Sequence, residues 1–443
     1  MSKFLALSSA ILLVIYFTLP LFLHQANRLL ISLATDNNPD YLATTCELAK
    51  SRGYDCETHS ITTEDGYIID TQRVSNKTVT ATHQTSQGVA LLMHGFECDS
   101  TIWVQNFQNQ SLAYILADEN IDVWLGNIRG NFYGERHVKF SSASDPDFWD
   151  FSFQEMAQFD LPATVNYILE TTGYEKIYYV GHSQGTLMAF LQMSEDETLQ
   201  DKIEFAFMLT PVYTLTSMIT PIRYALDLVY QLGFYIGPYV PSMRLGPAPP
   251  LDFVIWSYMY PLPSYYVTEF IWQAFSGDSD HALHRNHSQM VAYFAHGLAG
   301  TSVHNVRHFA QIYKEQKLAK FNYQNDKLNL LHYNSTQPPE YNIGKINRKV
   351  TKENSHIDRN RTKFALFWGD RDWMVTKHDR MKLQSILGDV IVYSKICENF
   401  SHLDFIWGLR ANECAYFKIS DMVRSHRRQK ITSQSKPDIS ATN

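Results

Sequence analysis

The segment Val180-Gly181-His182-Ser183-Gln184-Gly185-Thr186 follows the apolar run 177–180 and precedes the helix-prone run 187–193. A strand, then Gly-x-Ser-x-Gly, then a helix predicts a sharp turn that presents Ser183 at the end of a sheet strand. Glycines at 181 and 185 let the chain turn that tightly. Both residue types are common, so the pattern alone favours a plain surface turn. The surrounding chain has to decide.

Three further pieces stand in order around it. Upstream, the apolar strand Val89 to Met93 ends in His94-Gly95-Phe96. Downstream, Lys363 to Trp368 reads as a buried strand and leads into Gly369-Asp370-Arg371-Asp372. Last comes His402, in the polar loop Asn399-Phe400-Ser401-His402 before a helix-like run. Serine, acid, histidine is the chain order of the α/β-hydrolases. In that scheme Ser183 is the nucleophile, and the backbone N–H groups of Phe96 and Gln184 form the oxyanion hole. Asp372 is preferred to Asp370 by analogy with the motif: the later acid reaches back to orient an imidazole, while the earlier one caps the turn. Of the histidines after the acid, His378 is too close to reach the next loop and His426 lies in the basic C-terminal tail. That leaves His402 as the base. His94 and His182 read as packing or hydrogen-bonding residues of the oxyanion loop and the elbow.

Eight blocks together resemble the acid lipases, the gastric and lysosomal acid lipase family. They are Asn38-Pro39-Asp40, Thr63 to Tyr67, Trp124 to Asn131, Phe148 to Met156, Asp160 to Thr164, Gly181 to Thr186, Ala299 to Ser302 and His402 to Trp407. The resemblance runs from about residue 38 to about 425. It implies an α/β-hydrolase with a mostly parallel central sheet and a large, mainly helical cap, acting on triacylglycerols or cholesteryl esters at a lipid interface. Carried over by position, it implies the same roles for Ser183, Asp372, His402, Phe96 and Gln184. It implies no metal and no organic cofactor. A disulfide typical of the family near its lid is missing, since no cysteine occurs between Cys98 and Cys397.

Ser183 and Asp372 are 189 positions apart, so an insertion must separate their strands. The expected organisation is a signal peptide or signal anchor at 1–26, core at 38–211, cap at 212–342, a basic loop at 343–362, core again at 363–425, and a polar, disordered tail at 426–443. Twelve aromatic residues lie between Phe234 and Phe275, among them Trp256 and Trp272. They serve as cap core, as lining of an acyl-chain tunnel, or as both. The basic loop, with Lys345, Arg348, Lys349, Lys352, Arg359, Arg361 and Lys363, reads as a flexible surface segment, or more sharply as a contact to anionic lipid head groups.

Phe4 to Leu23 is almost wholly apolar and sends the enzyme into the secretory path, as a secreted or lysosomal protein or one anchored through 4–23. Six Asn-x-Ser/Thr sequons, at Asn76, Asn109, Asn286, Asn334, Asn360 and Asn399, agree with that, with Asn399 too near the base to carry a glycan. Of five cysteines, Cys46 and Cys56 are either a local bridge or two buried thiols. A net charge of −7 argues against nucleic acid as a partner. His281, His284 and His287 follow Asp278 and Asp280 at near-ligand spacing, but a solvated face is the simpler reading. Two other functions use the same features: an acyltransferase with the same triad, and an inactive lipid-binding protein of hydrolase fold.

Overall fold

A computed structural model describes residues 38–78, 86–235, 242–246, 272–278, 289, 292–293, 296–347 and 361–434. The leading apolar segment, Trp256, the histidines at 281, 284 and 287, the sequons Asn286 and Asn360, and residues 348–360 of the basic loop lie outside them.

Nine strands form one sheet. They are β1 (Tyr54–Thr62), β2 (Tyr67–Asn76), β3 (Val89–Met93), β4 (Asp122–Gly126), β5 (Arg136–His137), β6 (Ile177–His182), β7 (Ile203–Leu209), β10 (Lys363–Gly369) and β11 (Ile391–Cys397). Two short strands, β8 (Arg244–Leu245) and β9 (Thr301–Ser302), pair separately. The order is β1-β2-β4-β3-β6-β7-β10-β11, with β5 beside β2. From β4 to β11 all pairs are parallel, while β1 and β2 run antiparallel at one edge. The inner parallel strands β3, β6, β7 and β10 read as largely apolar runs because both faces are covered, whereas β11 at the edge is half exposed. In β6 Tyr179 packs into one core, whereas Tyr178 and Val180 pack into the other.

Helices α1 (Thr45–Ser51), α2 (Leu112–Asp118), α3 (Leu161–Thr172), α4 (Gln184–Glu195), α8 (Lys377–Leu387) and α9 (Phe417–Gln434) flank this sheet, and α5 (Ile222–Tyr235), α6 (Val303–Glu315) and α7 (Asp326–Tyr333) fall between β7 and β10. The described part of the insertion is thus mainly helical.

Three segments pack differently from the boundaries expected above. Val212, Leu215 and Met218 sit in the core, and Thr216 and Ser217 donate to Asp379 of α8, so the start of the expected cap is tied to the core. Ile343–Asn347, the start of the expected basic loop, is a 3-10 helix whose Ile343 and Ile346 are buried. Helix α9 runs through the expected start of the tail to Gln434, because His426 bonds the Tyr178 hydroxyl at 3.0 Å and Glu204 at 3.2 Å.

Cys46 and Cys56 are bridged, and a second disulfide joins Cys397 to Cys414, while Cys98 is free and buried. Sequence spacing gave no reason to pair Cys397 with Cys414, which the fold brings together at the end of β11. Two bridges fit an oxidising compartment. No helix among the described residues is long and apolar enough to cross a membrane.

Candidate active site

β6 ends at His182 and α4 begins at Gln184, so Ser183 carries the whole reversal, with φ 50° and ψ −117°. The positive φ therefore falls on the serine, not on the flanking glycines, which are needed for close approach. A Cβ at Gly185 would lie 2.7 Å from both the Met93 and His94 carbonyl oxygens. A strained non-glycine conformation of this kind is worth roughly 1–3 kcal/mol and persists where the surroundings over-determine it. Here Ser183 N–H donates to Leu209 O at 3.2 Å, and its carbonyl accepts from Thr186 N at 2.9 Å.

Asp372 follows β10 and His402 follows β11, so both lie beyond the same C-terminal ends of the parallel strands as Ser183. His402 Nε2 is 2.7 Å from Ser183 Oγ, and its Nδ1 is 2.7 Å from Asp372 Oδ2. The other carboxylate oxygen of Asp372 accepts the Met374 and Val375 N–H groups at 2.8 and 2.9 Å. With Nδ1–H donating to Asp372, Nε2 is left free to accept the serine proton. All three side chains are buried.

Asp370 does a different job. Its Oδ1 accepts the Phe400 N–H at 3.2 Å, while Arg371 N–H donates to Phe400 O at 3.0 Å. It clasps the acid loop to the histidine loop, whereas a cap of its own turn was expected. A Cβ at Gly369 would sit 2.2 Å from that same Phe400 carbonyl oxygen. His182 Nε2 bonds the His402 carbonyl oxygen at 3.1 Å, and burial together with the neighbouring His402 pushes His182 down to about 3. His94 is held between Gly95 O and the Asn131 side chain, and burial lowers it too. Both histidines are neutral supports.

Phe96 lies on the loop after β3, its ring edge-on to Phe309 of α6 at 5.5 Å. Gln184 is the first residue of α4, where a backbone N–H has no partner within its own helix. Its side-chain oxygen accepts from Asn305 Nδ2 of α6 at 3.0 Å. Asn305 also accepts the Phe153 N–H at 2.8 Å and donates to Thr301 Oγ1 at 3.0 Å. Sequence reasoning missed Asn305, since nothing local distinguishes it. It missed Ser276 as well, whose carbonyl oxygen accepts the His402 N–H at 3.1 Å and so straps the insertion to the base loop.

Ser183 and His402 open on a largely apolar cavity walled by Phe96, Ile222, Trp272, Phe275, Tyr293 and Trp407. Trp272 is both cap core and wall: it is 2% exposed, with its ring 4.7 Å from that of Trp407. Among the described residues no group of histidine, cysteine and carboxylate side chains is arranged to hold a metal.

Comparison with known proteins agrees with this architecture. Residues 45–107 match the partial alpha/beta-hydrolase lipase region, and residues 90–224 match the alpha/beta hydrolase fold. A lysosomal acid lipase/cholesteryl ester hydrolase of Macaca fascicularis is 33% identical over 399 residues, spanning 88% of this chain and 93% of the relative. A gastric triacylglycerol lipase of Rattus norvegicus is 33% identical over 389 residues, spanning 87% and 93%. The solved structure of a candidate lipase from Sulfolobus solfataricus shares the fold at a TM-score of 0.53 and 14% identity, covering 84% of this chain and 95% of that one. Sheet order, elbow and the near full-length match to these relatives converge, and the chain belongs to the acid lipase family of α/β-hydrolases.

Proposed function

We propose that this protein is a lipid ester hydrolase, a triacylglycerol lipase or cholesteryl esterase, that works through an acyl-enzyme on Ser183. The observation that carries the reading is the chain of two 2.7 Å contacts from Ser183 through His402 to Asp372, opening on an apolar cavity. His402 takes the serine proton as Oγ attacks the ester carbonyl, then returns it to the leaving alcohol. Asp372, fixed by two backbone N–H groups, holds the imidazole and stabilises its protonated form. The backbone N–H groups of Phe96 and Gln184 meet the developing oxyanion, one such donor being worth about 3 kcal/mol. Water activated by the same histidine releases the acid. Aromatic walls suit an acyl chain or sterol.

The names of the relatives, lysosomal and gastric, support a secreted or lysosomal location, as do the two disulfides. The apolar segment 4–23 is read as a signal peptide, and N-terminal sequencing of the mature protein tests it: a start beyond residue 23 supports cleavage, and an intact N-terminus supports a retained anchor.

The test is labelling with an alkyl fluorophosphonate together with a panel of triacylglycerol, cholesteryl and short soluble esters. Wild type should form an adduct on Ser183 and hydrolyse esters, and Ser183→Ala should fold yet do neither. An inactive lipid-binding protein gives no adduct. An acyltransferase labels but favours an added alcohol over water.

A further inference from the structure

The loop that follows β3 turns tightly beside the nucleophile. A Cβ on Gly95 would lie 3.0 Å from the Cβ of Ser183 and 2.9 Å from Nδ1 of His182, so the peptide joining Gly95 to Phe96 rests against the elbow. Gly95 O accepts the Cys98 N–H at 3.4 Å and closes a four-residue turn. Glu97, third in that turn, takes the positive φ, 51°, that a type II turn needs there. Ala299 of the insertion holds the turn from outside, its N–H donating to Glu97 O at 2.8 Å. The backbone N–H groups of Phe96 and Gln184, the proposed oxyanion donors, make no hydrogen bond among the described residues.

A second and shorter contact fixes the same carbonyl. His94 Nδ1 is 2.8 Å from Gly95 O, and the ring is fully buried. Its tautomer follows from Asn131, whose Oδ1 accepts the Tyr133 N–H at 3.1 Å, so that Nδ2 is the atom 3.1 Å from His94 Nε2. The same amide nitrogen donates to Asn127 Oδ1 at 3.0 Å. His94 Nε2 is therefore an acceptor, and the single ring proton sits on Nδ1, facing the Gly95 carbonyl. Burial, against the pull of the Gly95 carbonyl and of Asp99, holds His94 below the usual imidazole range and so favours the neutral ring that this pairing requires.

We propose that His94 is the positioning residue of the oxyanion hole: by gripping Gly95 O it sets the plane of the peptide between Gly95 and Phe96, and with it the aim of the Phe96 N–H. This inference rests on the ester hydrolase reading above. A peptide group is planar and trans, with its C=O and N–H pointing in opposite directions, so a rotation that frees the carbonyl swings the N–H by the same angle. Cys98 holds the carbonyl from within the loop, through the longer contact. His94 directly follows β3, which pairs with β6 so that Met93 stands opposite Gly181, and its grip therefore refers the loop to the strand that carries the elbow. An oxyanion donor has to sit about 2.7–3.1 Å from the developing charge. A misaimed N–H accordingly lowers the rate and leaves ground-state binding of the ester almost untouched.

The experiment compares His94→Leu with His94→Asn. The two side chains share one branched shape, and Asn keeps an N–H donor near the place of Nδ1 while Leu has none. Both lose the contact to Asn131, so that loss is common to the pair. With a soluble butyrate ester, His94→Leu should lower kcat by roughly thirtyfold, a part of the roughly 10²–10³ that a lost oxyanion donor costs, with KM within about twofold. His94→Asn should recover most of the rate. Inhibition by a trifluoromethyl ketone, whose carbonyl Ser183 attacks to leave a tetrahedral oxyanion, should weaken in parallel with kcat. Equal kcat in the two variants, or a loss carried by KM instead, overturns the assignment. The tautomer is read on the wild type without any variant: nitrogen NMR of histidine-labelled protein should place the His94 proton on Nδ1, and a proton on Nε2 overturns the assignment as well. If wild type neither hydrolyses the butyrate nor takes the fluorophosphonate, the inference falls together with the function it rests on.

Discussion

Asn305→Ala is the sharpest probe of how the insertion supports the chemistry. The side chain is fully buried and makes three contacts of 2.8–3.0 Å, to Phe153 N, Gln184 Oε1 and Thr301 Oγ1. Alanine removes all three. The Thr301 hydroxyl and the Gln184 amide can turn toward other partners, but the Phe153 N–H is fixed in the backbone. An unsatisfied buried group costs about 1–3 kcal/mol, so one fixed loss and two softer ones amount to about 3 kcal/mol. For 443 residues, an unfolding entropy of about 2.1 cal/mol/K per residue turns this into a fall of about 3 °C in Tm. Gln184 also carries a proposed oxyanion donor, so a loosened elbow should lower kcat for a soluble butyrate ester by roughly tenfold, since small misplacements are expensive at a reacting centre. Calorimetry at a fixed scan rate and butyrate kinetics measure the two effects. A Tm shift under about 1 °C with unchanged kcat would refute the idea that α6 braces the elbow through this residue.

The two acids after β10 should separate cleanly: Asp372→Asn should lower turnover by several orders of magnitude through the imidazole it orients, whereas Asp370→Asn, whose amide oxygen still accepts the Phe400 N–H, should cost less than about tenfold. The reverse ranking, read by steady-state kinetics, removes Asp372 from the site. Trp272→Ala should reduce turnover of long-chain emulsified esters more than of a water-soluble butyrate, and should lower stability by about 3–5 kcal/mol as a buried ring is lost; an unchanged ratio of the two activities in a folded variant shows that the ring has no part in chain selection. For Glu97 the sign follows from a folded value of about 7 above the ordinary 4.5: the folded state retains a proton that the unfolded state has lost, so stability falls as pH rises through that window. Glu97→Gln lacks this penalty and should gain on wild type by up to about 3 kcal/mol between pH 4.5 and 7, at about 1.4 kcal/mol per unit. Thermal melts of both proteins across this range check it, and a difference independent of pH rules it out.

What the sequence determined by itself was the sheet and the order of the site. Val89 to Met93, Ile177 to Val180 and Lys363 to Trp368 are continuous apolar runs because parallel strands are buried on both faces, and that burial is written locally. Ser183 and Asp372 stand out for the same reason, as polar residues just past the ends of such strands, and His402 follows as the histidine left after the acid once His378 and His426 are set aside. Their direct contacts were a different matter. Only the tertiary structure moved the positive φ from the glycines onto Ser183, because the turn is set by how closely α4 packs against the end of β3. Only it gave Asp370 a clasp to Phe400, carried α9 past residue 425, joined Cys397 to Cys414, and placed Asn305 and Ser276 against the elbow and the base loop. Each of these depends on atoms far apart in the chain whose own neighbours carry no periodic or motif signal. Glu97 belongs with them: as a sequence position it is one more polar loop residue, and it becomes a buried acid only where Ala299 of the insertion bonds the oxyanion loop.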